Sequence, residues 1–273
     1  MNDTILDLKF YDINFWIGEN PLSAKLSIRE QNLVKILDAR KKNFKIEGTA
    51  ILHFKAFFLN PRLGNDIVAN LLSTIDKETL DVSGVMFMEQ DYFTSPEHFK
   101  GNIVKRFNQG FRIIAFFPKT HKYPFEANCC REFYEVLNYY NFPMVINLDE
   151  IDITGNKNIE WDKLLIIADK FPNMPIIIDG GLSKELMYTS YLSLLIKNSS
   201  NIYINIHNLF AMNQIEDLTK YASADRLIFD TYFPYYDTYI STERLINSTL
   251  DNSEKEKIAI LNIKKIFHEI GIN

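Results

Sequence analysis

Two acidic residues that follow short apolar runs are the strongest candidates for acid–base chemistry. Asp179 ends the run "PIIID" just before two glycines, and Asp230 follows the run "LIF". A carboxylate at such a position is partly desolvated, which raises its pKa and suits it to act as a general base. Each residue also has a structural alternative. Asp179 would form a turn and cap the next helix, and Asp230 would pair with an arginine such as Arg226 or Arg244.

Basic and imidazole side chains form a second candidate group. His121 and Lys119 lie in "FPKTHKY", where they offer a proton shuttle and a cation for an anionic substrate or an oxyanion. His53 and Lys55, in "AILHFKAFF", share one face of a predicted strand, and this pair would favour carboxylate binding. The alternatives are a solvated loop for the first pair, and a packed histidine with a solvated lysine for the second. We interpret His207, in "INIHNL", as a core residue.

The composition is that of an ordinary globular protein. The chain has 273 residues, of which 47% are hydrophobic, and its formal net charge is −5 without any basic block. A nucleic-acid surface is therefore not expected. No apolar run is long enough to span a bilayer, and no signal peptide is recognised, so we expect a cytoplasmic protein without membrane contact. The only cysteines, Cys129 and Cys130, are adjacent, which argues against a structural disulfide.

Eight short β-rich runs alternate with helical patterns along the chain. The runs are "LKFYDINFWIG", "FKIEGTAILHF", "SGVMFME", "FRIIAFFP", "PMVINLDE", "PIIIDGG", "NIYINIHNL" and "DRLIFDTYFP". Several are apolar at consecutive positions, which indicates strands buried on both faces of a parallel sheet. Eight such units predict one (β/α)8 TIM-barrel domain over residues 1–273. A doubly wound open sheet is the alternative, but it gives no reason for eight regular units.

The barrel prediction locates the site, because active sites of TIM barrels lie at the C-terminal ends of the strands. The polar residues predicted there are Asp12, Asn14, His53, Lys55, Glu89, Asp91, Lys119, His121, Asn147, Asp149, Asp179, Asn205, His207, Asp230 and Tyr232.

The C-terminal segments "ADRLIFDTYFP" and "ERLINSTLDNSEKEKIAILNIKKIF" resemble the closing pattern of the amidohydrolase-2 branch of the amidohydrolase superfamily. There an Arg-Leu-Leu-Phe-Gly-Thr-Asp-x-Pro strand precedes a helix with a near-terminal Asn. "FPNMPIIIDGG" with "NIYIN", and "NPRLGN" after the second strand, are also similar. The resemblance runs from the first strand to the last helix. It implies a TIM barrel, a small substrate, and hydrolysis of an ester, lactone or amide, or a related C–C cleavage.

The metal motifs of that superfamily are not matched. It binds metal through His-x-His on strand one, His on strands five and six, and Asp on strand eight. The residues at these positions are Asn14, Trp16, Asn147, Asp179 and Tyr232, with Asp230 two residues before the last of them. Asn is a weak neutral ligand and Trp is none, so the resemblance predicts that the transition metal and its cofactor role have been lost. Two carboxylates and two amides would still suit Mg²⁺ or Ca²⁺, which is the less favoured alternative.

Three functions follow as hypotheses. The first is a hydrolase of small carboxylate-bearing substrates that uses no transition metal, with Asp179, Asp230 and His121 as catalytic residues. Its substrate-binding residues would be Asn14, Trp16, His53, Lys55, Lys119, Asn147 and Tyr232. The second is an inactive barrel that binds a small molecule or a partner protein. The third is a divalent-cation hydrolase. Because the family is often dimeric, a homodimer is also an open expectation.

Overall fold

The computed structural model describes residues 7–93, 95–151, 160–182 and 189–272. Eight parallel strands form one sheet and pair in the order of the sequence. They are β1 Phe10–Ile17, β2 Ile46–His53, β3 Asp81–Phe87, β4 Phe111–Phe116, β5 Met144–Asn147, β6 Ile176–Asp179, β7 Ile202–Asn205 and β8 Leu227–Ile228. A parallel bridge between Phe15 and Phe233 brings the chain after β8 against β1. The predicted (β/α)8 TIM-barrel fold is confirmed.

Helices connect the strands. The α-helices are α1 Leu33–Phe44, α2 Phe54–Phe58, α3 Pro61–Thr74, α4 Pro96–Asn108, α5 Pro118–His121, α6 Arg131–Tyr139, α7 Leu148–Ile151, α8 Trp161–Lys170, α9 Thr189–Lys197, α10 Gln214–Ala222, α11 Thr238–Ile246, α12 Asn252–Glu256 and α13 Asn262–His268. A π-helical turn at Lys257–Leu261 joins the last two. The N-terminus of α4 is capped by Ser95, whose side chain accepts a hydrogen bond from the backbone N–H of His98. Among the described residues, no helix is long and apolar enough to cross a membrane.

The strands are buried on both faces, as their continuous apolar runs predict. On β4, Ile113 and Ala115 pack in the barrel interior, whereas Ile114 and Phe116 pack under the outer helices. This alternation follows from the two-residue period of a strand. The two apolar layers fix the direction of each strand, and therefore the place where each strand ends.

A buried ion pair joins the first strand to the segment after the last. Arg40 Nη2, on α1, lies 2.6 Å from Asp12 Oδ2 on β1. Asp12 also accepts hydrogen bonds from the backbone N–H and the hydroxyl of Thr231. The Arg40 guanidinium packs over the rings of Phe15 and Phe233. Asp12 therefore has a structural role, and it sets the position of the segment that carries Asp230.

Candidate metal centre

Asp179, His207 and Asp230 meet at the C-terminal ends of three neighbouring strands. Asp179 is the last residue of β6, and the other two lie two residues beyond β7 and β8. One potential ligand atom of each residue lies within 4.8 Å of the others, and all three side chains are buried. This placement is the one that the barrel fold predicts for an active site.

His207 is held between the two carboxylates. Its Nδ1 lies 2.5 Å from Asp230 Oδ2, and its Nε2 donates to the carbonyl of Gly181 at 3.0 Å and lies 3.7 Å from Asp179 Oδ1. Burial lowers the pKa of His207, but the Asp230 and Asp179 carboxylates outweigh burial and raise the pKa to about 9. In the absence of a metal, the imidazole is therefore protonated on both nitrogens at neutral pH.

The two carboxylates differ in their surroundings. Burial raises the pKa of Asp179 to about 6, the positive charge of His207 opposes this rise, and the negative charge of Asp230 adds to it. Asp230 accepts hydrogen bonds from the backbone N–H and Nδ1 of His207 and from the amide of Asn205. Without a metal, Asp179 can therefore exchange a proton near neutral pH.

Side-chain amides complete the cluster, and they face it with N–H groups. Asn147 Nδ2 lies 3.5 Å from Asp179 Oδ2, and Asn205 Nδ2 donates to Asp230 Oδ2 at 3.1 Å. Asn14 Nδ2 also donates to both carboxylates. The sequence interpretation of Asn14 and Asn147 as oxygen ligands of a hard cation is wrong for this geometry, because their amide oxygens bond elsewhere.

The residues of the cluster fit a divalent cation. Two carboxylates and one imidazole are donors that suit Mn²⁺ and similar cations.

The segment after β8 brings both Asp230 and Tyr232 to the cluster. Asp230 supplies a carboxylate, and the ring of Tyr232, which stands at the superfamily's Asp position, stacks on His207 with 4.7 Å between ring centroids. The arginines suggested as partners of Asp230 donate instead to backbone carbonyls, Arg226 to Ile202 and Ser199, and Arg244 to Ile206 and His207.

Trp16 lies beside the cluster in an aromatic layer. Its indole N–H donates to Asn14 Oδ1 at 2.9 Å. Its ring contacts Phe54, Phe57 and Tyr232, with centroids 5.2, 5.8 and 6.3 Å away. The structure therefore brings Trp16 and Tyr232 to the cluster as predicted neighbours of the site, and their role in substrate binding stays a prediction.

His121 and Lys119 lie on α5, after β4, and the structure does not bring them into the cluster. His121 Nε2 donates to the carbonyl of Phe57, and burial lowers the pKa of His121. The residue lines a separate cavity of about 840 Å³ together with Arg62 and Glu89. Lys119 is exposed. A catalytic role of His121 would need a substrate that reaches into this cavity.

His53 and Lys55 do not share a strand face, because β2 ends at His53 and α2 begins at Phe54. His53 is buried and caps α2, with its Nδ1 accepting the backbone N–H of Lys55. Its Nε2 lies 3.0 Å from Glu30 Oε1. These contacts agree with the alternative given for His53, a histidine packed in the protein core.

Comparison of the sequence with models of known families gives no match, and neither does comparison with curated proteins. Solved structures do match. A 2,6-dihydroxybenzoate decarboxylase from Rhizobium is 14% identical with a TM-score of 0.68, covering 96% of this chain and 99% of that one. A 5-carboxyvanillate decarboxylase from Novosphingobium aromaticivorans is 12% identical with a TM-score of 0.72, covering 96% and 97%. A Staphylococcus aureus protein provisionally assigned as an amidohydrolase is 13% identical with a TM-score of 0.69, covering 96% and 100%. At these identities the likeness shows the fold, so the resemblance to amidohydrolases is confirmed at that level.

The prediction of a protein without a metal cofactor is wrong. The decarboxylase from N. aromaticivorans has this fold and contains manganese. The described residues of this chain include a buried group that could hold a metal, Asp179, His207 and Asp230. His207 was predicted at the end of a strand but was interpreted as a core residue, and it does not stand at one of the superfamily's motif positions. Its place at a strand end, beside Asp179 and Asp230, was the signal for a ligand.

Proposed function

We propose that this protein is a divalent-metal-dependent enzyme of the amidohydrolase type that acts on a small carboxylate-bearing substrate. The observation that carries the proposal is the buried cluster of Asp179, His207 and Asp230 at the C-terminal end of the barrel. Buried like charges are costly unless a cation or hydrogen bonds compensate them, so a carboxylate pair in this place supports a functional role.

Asp179, His207 and Asp230 would hold the cation. When bound, it would polarise a carbonyl or carboxylate oxygen of the substrate. Asp179 would accept and return a proton through the carboxylate oxygen that does not hold the cation. Trp16 and Tyr232 would pack against the apolar part of the substrate and exclude water from the cluster.

Hydrolysis of an ester, lactone or amide is the first reaction that we propose. Asp179 would supply the proton acceptor that such a reaction needs. Decarboxylation is the second candidate, and a specific observation favours it. Two of the solved structures with this fold are decarboxylases of hydroxylated aromatic acids, and the aromatic layer of Trp16 and Tyr232 offers a planar ring a place to stack.

The decisive experiment begins with elemental analysis of protein purified without chelator. The protein is then reconstituted with Mn²⁺ and assayed on two substrate panels, esters and lactones with proton release as the readout, and hydroxybenzoates with CO₂ release. We expect turnover in one panel that requires the metal and is lost in Asp230→Asn. The control variant Asp169→Asn, on the exposed side of α8, should keep the metal-dependent turnover. Folded protein that neither retains nor binds a divalent cation and is silent on both panels would overturn the proposal in favour of an inactive binding barrel.

A further inference from the structure

Asn14, in the middle of β1, lies between the two buried carboxylates of the metal centre. Its Nδ2 donates to Asp179 Oδ2 at 3.2 Å and to Asp230 Oδ2 at 3.1 Å. Its Oδ1 accepts the indole N–H of Trp16 at 2.9 Å. All the polar atoms of this side chain are therefore engaged.

Chemistry fixes the orientation of this amide. If the amide were reversed, Asn14 Oδ1 would face two carboxylate oxygens, and Nδ2 would face the indole N–H of Trp16, which can only donate. Three favourable contacts would become three repulsive ones. Asn14 therefore presents hydrogens to Asp179 and Asp230, and its lone pairs point away from the place of the cation.

In the metal-free protein, the Asn14 amide offsets the repulsion between the Asp179 and Asp230 carboxylates. Two buried carboxylates repel each other, and neither keeps its hydration. His207 forms a hydrogen bond with Asp230 but lies 3.7 Å from Asp179 Oδ1. Within residues 7–93, 95–151, 160–182 and 189–272, Asn14 is the one side chain that donates a hydrogen bond to both carboxylates.

We infer that Asn14 is a positioning residue that bridges Asp179 and Asp230 and preforms the ligand set before a metal arrives. Because the lone pairs of Asn14 Oδ1 point to Trp16, a cation would be held only by residues from β6, β7 and β8 and would bind less tightly than with a ligand on β1. The amide thus orders the two carboxylates before metal binding, while the lack of a ligand on β1 limits metal affinity. The part that concerns metal affinity rests on the proposed function, whereas the bridge itself does not.

Two substitutions at this position separate the bridge from a merely structural role. Asn14→Asp keeps the shape and the Trp16 contact, but it replaces the bridging N–H groups by a carboxylate oxygen. Asn14→Leu removes the bridge without adding a ligand. We expect N14D to bind Mn²⁺ about tenfold more tightly and N14L about tenfold less tightly than the unmodified protein. Both should lower the melting temperature of the chelator-treated protein.

Asn201→Asp is the matched control. Asn201 is also a buried asparagine with two hydrogen bonds, to the carbonyls of Phe171 and Met174, but it precedes β7 at the opposite end of the strand from His207. N201D should therefore lower the melting temperature without changing the dissociation constant for Mn²⁺. Calorimetric titration gives the dissociation constants, and thermal melts with and without Mn²⁺ give the stabilities.

Opposite shifts of the Mn²⁺ dissociation constant in N14D and N14L would support the inference. Shifts in the same direction, or an N14D variant with unchanged affinity and unchanged metal-free melting temperature, would overturn it. If N14D does not fold, N14L decides, since unchanged affinity in N14L excludes preformation. If the unmodified protein binds no divalent cation but metal-free N14D and N14L are both destabilised more than N201D, the bridge stands and the proposed function fails.

Discussion

The buried pair of His207 and Asp230 should make the stability of the metal-free protein depend on pH. Burial lowers the pKa of His207, but the neighbouring carboxylates outweigh it and raise the pKa to about 9. A histidine whose pKa is raised on folding contributes stability that is fully present below its unfolded pKa, about 6.5. That contribution is lost as the pH rises through the folded value. The metal-free protein should therefore lose stability between about pH 6.5 and pH 9.

The size of the loss follows from the shift. A difference of roughly 2.5 pKa units corresponds to about 3 kcal/mol of unfolding free energy. Asp230→Asn removes the carboxylate that holds the proton on His207, so burial becomes the dominant influence on that pKa. Breaking a buried pair costs about 3–5 kcal/mol. The variant should therefore be less stable at pH 6.5, with most of the pH dependence between pH 6.5 and 9 gone.

Urea denaturation of chelator-treated protein across this pH range measures both effects. The control is Asp225→Asn, which removes a carboxylate from an exposed pair with Lys257 and should keep the pH profile of the unmodified protein. If D230N keeps the same loss of stability between pH 6.5 and 9, the pairing of His207 with Asp230 does not hold its proton, and the reasoning fails.

Three further predictions concern the surroundings of the site. Arg40→Met should cost about 3–5 kcal/mol in urea denaturation, because it leaves Asp12 buried without its cation. Gly181→Ala should weaken Mn²⁺ binding in calorimetry and lower stability, since Gly181 has a φ of 58° and its methyl group would lie 2.3 Å from Asp149 Oδ2. Because burial lowers the pKa of His53, this residue should make the protein less stable as the pH drops below about 6.5. Urea denaturation of His53→Asn should not show this loss of stability at low pH.

The fold could be predicted because its signals are local. The three consecutive isoleucines of β6 require burial on both faces of the sheet. The helical segments between such runs favour a parallel sheet. Because active sites of TIM barrels lie at the C-terminal ends of the strands, Asp179 and Asp230 were predicted at the C-terminal rim of the barrel, where they are found. For these two residues, the strand pattern and the barrel topology were sufficient to predict their position.

The partners within the site could not be predicted in the same way. β8 consists of only Leu227 and Ile228, whereas the expected strand was longer, and matching the superfamily's pattern along it put the Asp position at Tyr232. The rim of a barrel is also a ring of eight strand ends, and the sequence does not say which of them converge. His121 lies at this rim too, but it lines the cavity with Phe57 instead of the cluster.

The rim divides into an aromatic half and a polar half. Phe57, Phe87 and Phe117 pack together at the ends of β2, β3 and β4, whereas the ligand groups come from β6 to β8. A cation held from one side keeps open positions on the other. Trp16 contacts all three phenylalanine rings and also fixes the Asn14 amide. A planar substrate lying against the aromatic half would therefore meet a cluster whose geometry that half helps to set.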